Sequence, residues 1–346
     1  MLLGLALVAC SSRPGAGAGS VPAPQPPAAP VVTAGAAAQP TPPPVARVSF
    51  NIGAQSTDFL FAAIAAQRGF FEDEALEVAL EPALGTVGIP AVVSGQWEFT
   101  ASAGSAQAAI VQGAPLKIVM VAQERPAYGF FARPGITTIA DLKGKQLGVN
   151  SLGSAAHIMA NRVLAKHGLY PDQDFTWVAL RTSTNLWPAL LTGVVDASMI
   201  STADLHRPGK EGFVDLQLYK DPSVRNVSVG LITADRMLQE QSPVVQRMIR
   251  ALIKALQFMQ ANKAATVPIM AQFVGIPVDE ADELYDLNMD TFTPRGYSDD
   301  DTLRQSLEMV LEATERTEAP PIAQVFDLTL ARAAYAALQR EGWQPR

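Results

Sequence analysis

The stretch Asp141–Leu169, DLKGKQLGVNSLGSAAHIMANRVLAKHGL, constrains the fold more than any other because it reads as strand, glycine turn and capped helix in immediate succession. Gln146 to Val149 is a short apolar run entered through the Lys143-Gly144-Lys145 turn, which predicts a buried strand ending at Asn150. Ser154 stands where an N-cap belongs, ahead of Ala156, Met159, Ala160, Val163 and Leu164 at helical spacing, and Gly168 supplies the stop. A helix so placed leaves uncommitted backbone N–H groups near residues 154 to 156, with the positive end of its dipole behind them. A small polar or anionic group fits such a position, although for an isolated unit a serine cap that faces only water is the plainer reading.

The same cadence runs on both sides of this unit. Before it, strand signals at Val48 to Ile52, Leu76 to Leu80, Phe99 to Ser102 and Leu116 to Val121 alternate with helical patterns at Phe59 to Gln67, Val87 to Val93 and Ser105 to Val111. After it come Phe175 to Val178, a helix around Leu186 to Leu191, Asp196 to Met199 and Val214 to Leu218, and Val227 to Thr233 reads as a strand returning to the first group. Close alternation of this kind argues for an α/β layer with a largely parallel sheet, in which ligands gather outside the carboxyl ends of the strands. The remainder is helical. Val245, Met248, Ile249, Leu252, Ile253, Leu256 and Met259 form one apolar stripe after Ser242-Pro243, and Leu303, Leu307, Val310 and Leu311 form another after the acidic turn Asp299 to Asp301. At 346 residues and 48% hydrophobic content, two domains are the expectation.

The first residues carry a different message. Met1 to Ala9 is almost wholly apolar and leads to Leu7-Val8-Ala9-Cys10, the pattern read by the peptidase that frees bacterial lipoproteins. Cys10 is the single cysteine, so it has no intramolecular disulfide partner, and acylation that anchors the chain to a bilayer is its coherent use. No basic residue precedes the apolar run, a departure from an export signal that points to a start upstream. From Ser11 to about Ala46 the chain is Pro, Ala and Gly with one charge, Arg13, a composition that reads as a disordered tether. Its Gly15-Ala16-Gly17-Ala18-Gly19 string lacks the strand and helix that a phosphate loop needs. No later stretch is long and apolar enough to span a membrane. The net charge of −7, with 26 scattered Lys and Arg, leaves no basic footprint for nucleic acid.

Signals for catalysis are sparse. His157, His167 and His206 are the only imidazoles, and none has metal-ligand spacing with another histidine or with cysteine. No nucleophile elbow, Walker loop or zinc signature occurs, so no catalytic residue, metal or cofactor is expected. Trp187, near a helix start, reads as core more readily than as a stacking platform, and His157 as an exposed helix residue.

An ordered series then carries a resemblance. Ala65-Ala66-Gln67-Arg68-Gly69-Phe70-Phe71-Glu72 with Leu76-Glu77-Val78, Ser94-Gly95-Gln96-Trp97-Glu98, Gly113-Ala114-Pro115-Leu116-Lys117, Asp141-Leu142-Lys143-Gly144-Lys145, Gly153-Ser154 and Leu191-Thr192-Gly193-Val194-Val195-Asp196-Ala197 follow one another across the folded part. Together they resemble the substrate-binding lipoproteins of bacterial ABC importers, in the branch that handles nitrate, sulfonates, taurine and thiamine-precursor pyrimidines. Glu98, where that family commonly has Asp, is a mild departure. The resemblance implies an α/β, two-lobed periplasmic-binding-protein type II (Venus-flytrap) fold. It divides the chain into a lipoprotein signal segment, 1–10, a tether, 11–46, a discontinuous first lobe, 47–132 and 227–346, and a second lobe, 133–226.

It also implies a solute pocket drawing on Gln55, Ser56, Thr57, Asp58 and Phe59, on Gly104 and Ser105, on Gly153, Ser154 and Ala155, and on Ser201 and Asp204. The expected partners are a small solute, the transmembrane subunits of an ABC permease and the bilayer through acylated Cys10, with the chain a monomer. A ligand-sensing module for a membrane signalling protein and an enzyme like the family's pyrimidine-precursor synthases are the alternatives. Hydroxyls and helix starts favour an oxyanion, with Arg125 and Arg181 the nearest candidate cations, whereas an inward Asp58 or Asp204 prefers an amine or ring N–H donor.

Overall fold

The computed structural model describes residues 43–314 and 318–345. The expected signal segment, Cys10 and the tether as far as residue 42 lie outside the described residues. Ten strands, β1 Ala46–Ile52, β2 Leu76–Pro82, β3 Phe99–Thr100, β4 Leu116–Gln123, β5 Gly129–Ala132, β6 Gln146–Val149, β7 Thr176–Ala179, β8 Ala197–Ile200, β9 Val214–Asp215 and β10 Val229–Ala234, form two five-stranded sheets. The first runs β2-β1-β3-β10-β4 and the second β7-β6-β8-β5-β9.

The two orders are the same pattern written twice. In each sheet two parallel pairings share one strand, β1 with β2 and β3 or β6 with β7 and β8. The fourth strand is antiparallel to both its neighbours, and in each case it is the first strand after the chain has changed sheets. The expected largely parallel layer is therefore mixed, because a strand that arrives directly from the other sheet runs opposite to those built by helical crossovers. The chain changes sheets over residues 124–128 and again over residues 216–228. Gly129–Ala132, inside the range expected for the first lobe, thus pairs with β8 and β9 of the second, and all four of its residues are buried. The returning strand expected from Val227 pairs with β3 and β4.

The apolar stripes do what their spacing demands. All seven stripe residues from Val245 to Met259 are buried on helix Ser242–Ala261, which packs on helices Leu60–Gln67 and Thr329–Arg340. Each such side chain contributes about 1.5–3 kcal/mol through burial. Helix Asp300–Thr314 buries Leu303, Leu307 and Leu311 and opens on Asp300 and Asp301, carboxylates that suit its positive end. It packs against helix Ala103–Val111 of the first lobe and also meets helix Ala155–Lys166 of the second, where Arg162 pairs with Glu308 (3.8 Å) and Glu312. Among the described residues no helix is long and apolar enough to cross a membrane.

Candidate functional site

A cavity of about 220 Å³ lies where the chain passes between the sheets. Pro126, Ala127 and Tyr128 of the first crossing, with Gln123 at the end of β4, and Asn226 and Ser228 of the second, with Val229 at the start of β10, line it. The other walls are strand ends: Asp58 and Phe59 after β1, Ser102, Gly104 and Ser105 after β3, and Thr202 after β8. Parallel strands expose their carboxyl ends together at such a switch of sheets, so the turns that follow them converge on one space. A cavity below the ~300–1,000 Å³ range of drug-sized ligand sites suits a small solute.

Local chemistry explains the placement. A Cβ on Gly53 would lie 2.7 Å from the Phe59 ring, so only glycine lets that ring lie over the end of β1. Fully buried Asn51 ties the strand ends together: its Nδ2 donates to Glu81 O (2.8 Å) and Ala83 O (3.0 Å), and its Oδ1 accepts from Thr100 Oγ1 (2.7 Å). Glu98 accepts from the backbone N–H of Ser49 (2.7 Å), which fastens β1 to the approach of β3.

The polar centre is a cluster of four side chains around Gln123. Ser228 Oγ donates to Gln123 Oε1 (3.0 Å), and Gln123 Nε2 donates to Asp58 Oδ1 (3.2 Å) and Thr291 Oγ1 (3.2 Å). An ionised carboxylate only accepts, so the amide must turn its nitrogen toward Asp58, and its donors are then fully used. Burial pushes the Asp58 carboxyl above its ordinary range, against the opposing hydrogen bond from Gln123. The Tyr128 hydroxyl is pushed up to about 12, by burial first and then by the charge of Asp58. Asp58 is thus less stable ionised in the folded protein than in the open chain. Below the ordinary carboxylate range the group is protonated in both states; as pH rises through that range the unfolded chain ionises first and folding loses free energy. Asp58→Asn is expected to raise the melting temperature of the unliganded protein at neutral pH, and the gain should vanish in scans below the ordinary carboxylate range.

Of the expected pocket residues, Asp58, Phe59, Gly104 and Ser105 line the cavity, and the others do not. Gln55 is exposed, and Thr57 is buried with its Oγ1 unpartnered. Ser201 lies one residue before the lining Thr202, whose Oγ1 donates to Ala127 O (3.0 Å). Asp204 pairs with Arg207 (3.2 Å). The turns Thr57–Phe59 and Thr202–Asp204 pack against each other across the two lobes. Ser154 caps helix Ala155–Lys166 by accepting the His157 N–H (3.3 Å), and the Gly153 N–H donates to His157 Nδ1 (3.0 Å). Gly153 and Ser154 are thus engaged in the cap itself, and Ala155 is the first residue of the helix behind it. Trp187 is core, edge-on to Phe213 at 5.1 Å. The crossing residues were not expected from sequence. Their signal was positional, since they lie in the aperiodic gaps between the two cadences.

The family model described as NMT1/THI5 like matches residues 56–265, more than half of the chain. The chain belongs to the NMT1/THI5-like family. A search of curated protein sequences found no match. Among solved structures, a protein from Methylobacillus flagellatus KT described as the periplasmic sulfonate-binding protein SsuA of a sulfonate ABC transporter is similar at a TM-score of 0.70 and 15% identity, covering 87% of this chain and 98% of its own. The periplasmic aliphatic sulphonate binding protein SsuA of Escherichia coli gives 0.64 and 15%, covering 81% and 92%. The desulfurization enzyme DSZB gives 0.62 and 16%, covering 85% and 99%. At these identities the likeness is one of fold. This NMT1/THI5-like chain has the two-lobed periplasmic-binding-protein type II architecture, as its strand orders indicate.

Proposed function

We propose that the protein is the extracytoplasmic solute-binding component of an ABC importer, capturing a small polar solute by lobe closure and delivering it to the permease. The observation that carries this reading is the position of the cavity, bounded by strand ends of both lobes and by both crossings. A solute held there favours the closed arrangement by its differential affinity for it, and a permease can then distinguish loaded from empty protein by shape. The cavity wall carries hydroxyls, amides, two aromatic rings and one carboxylate, with no imidazole or thiol among its lining residues. That inventory offers donors, acceptors and ring faces to a small polar solute. In this reading Asp58, Phe59, Gly104 and Ser105 contact the solute, Cys10 carries the acyl anchor, and the protein works as a monomer outside the cytoplasmic membrane.

Small-angle scattering with a panel of small polar solutes tests it. At least one solute is expected to reduce the radius of gyration and to stabilise the fold, by about 2.7 kcal/mol at a hundredfold excess over Kd. An unchanged scattering profile and melting curve across the panel would end the reading.

A further inference from the structure

We infer that the solute is a small cation, or a neutral molecule presenting strong N–H donors, that pairs with Asp58, and that the cavity rejects nitrate and sulfonates. The inference rests on the solute-capture reading above. Asp58 lines the cavity, and its Oδ1 receives one hydrogen bond, from a neutral amide. Among the described residues its other oxygen has no hydrogen bond and neither oxygen has an ion pair. A cavity-lining carboxylate with unused acceptor capacity asks for a donor, and a charged donor most of all.

No cationic side chain on the wall offsets that charge for an anion. No lysine, arginine or histidine lines the cavity. The expected cation Arg125 turns instead to Asp290, at 3.5 Å from its carboxylate and on its backbone carbonyl. Arg207 is held by Asp204. Helix Ala103–Val111 begins at the cavity, yet its first two N–H groups are spent on protein carbonyls, Ala103 on Ala101 O (2.9 Å) and Gly104 on Ser228 O (3.2 Å). Gln123 cannot turn its donors outward, because both are used by Asp58 and Thr291. An oxyanion would lose its hydration to face a carboxylate and a few hydroxyls. Phe59 and Tyr128, by contrast, add aromatic surface, which attracts cations through the ring quadrupole. The fold is shared with proteins described as sulfonate-binding, but the one charged side chain on this cavity's wall is a carboxylate.

Calorimetry and melting of the whole protein with shape-matched probes of opposite charge test this: benzamidinium against benzenesulfonate, and guanidinium against nitrate. The cation of at least one pair is expected to bind at least roughly tenfold tighter than its anion. Asp58→Asn keeps the acceptor that Gln123 needs and should weaken that cation on the order of 10- to 100-fold. Tighter binding of the anions, or cation affinity unchanged in Asp58→Asn, overturns the inference and leaves solute capture standing. If no probe of either charge moves the melting curve or the scattering profile, both readings fall together.

Discussion

Asn51→Leu is expected to lower the free energy of unfolding by about 3–5 kcal/mol, seen as a urea midpoint that falls at unchanged slope. The side chain is fully buried between three strand ends, with donors on Glu81 O and Ala83 O and its acceptor on Thr100 Oγ1. Leucine keeps the bulk and strands all three partners, Thr100 Oγ1 in the core and the two carbonyls half-buried, where each unsatisfied buried group costs roughly 1–3 kcal/mol. There is also no room to adjust. A Cβ built on Gly88 would lie 2.0 Å from Asn51 Oδ1, so helix Gly85–Ser94 already leans on the amide, and the branched leucine end must push it away. The loss reaches the cavity as well as the core. Asn51 and Thr100 are register partners at the ends of β1 and β3, and the chain beyond them delivers Asp58 and Phe59 on one side and Ser102 to Ser105 on the other. Solute affinity should therefore drop together with stability in this variant, which titration of the folded fraction would show.

What the sequence made legible follows from where periodic signals exist. Gln146–Val149 and the helix behind Ser154 were readable because a buried strand, a hydroxyl cap and a glycine stop each leave a local mark, and the structure has the cap and the strand at those residues. Asp58 and Ser105 were readable as neighbours of strand ends, and it was the family resemblance that assigned both to one pocket, whose wall they share in the structure. Gly129–Ala132 was unreadable as a strand: four residues between an irregular crossing and Pro134 carry neither alternation nor flanking helix, and their pairing is decided by β8 and β9, more than 60 residues away. The same reason hides the cavity floor. Gln123 gains its role from a serine 105 positions later, and the Asp58 it meets is 65 positions earlier. Gly153 and Ser154 looked like the seat of a small polar or anionic group, yet the Gly153 N–H is spent on His157 Nδ1, and the Ser154 hydroxyl donates to Asn150 Oδ1 while accepting the His157 N–H.

Glu74→Ala is expected to cost about 3–5 kcal/mol while leaving solute binding by the folded protein intact, which separates it from Asn51→Leu. Glu74 closes the turn before β2 and is nearly buried, 2.7 Å from Lys254 Nζ and 3.0 Å from Arg250 Nε, both on helix Ser242–Ala261. Arg247 of the same face donates to Ala75 O (3.0 Å), where the backbone sits at φ 53, an unfavourable angle for alanine that this clamp holds in place. Removing the carboxylate leaves Lys254, whose side chain is 8% exposed, with only Asp73 at 3.8 Å. A buried charge that loses its partner is far costlier than a pair removed together. Arg250 suffers less, because Glu341 still holds it at 2.8 Å. The double variant Glu74→Ala with Lys254→Met should thus recover much of the loss, giving a coupling energy above about 1.5 kcal/mol in a denaturant double-mutant cycle with the two single variants. A strictly additive cycle would mean that the lysine finds water by local rearrangement and that the turn before β2 is held by the arginines alone.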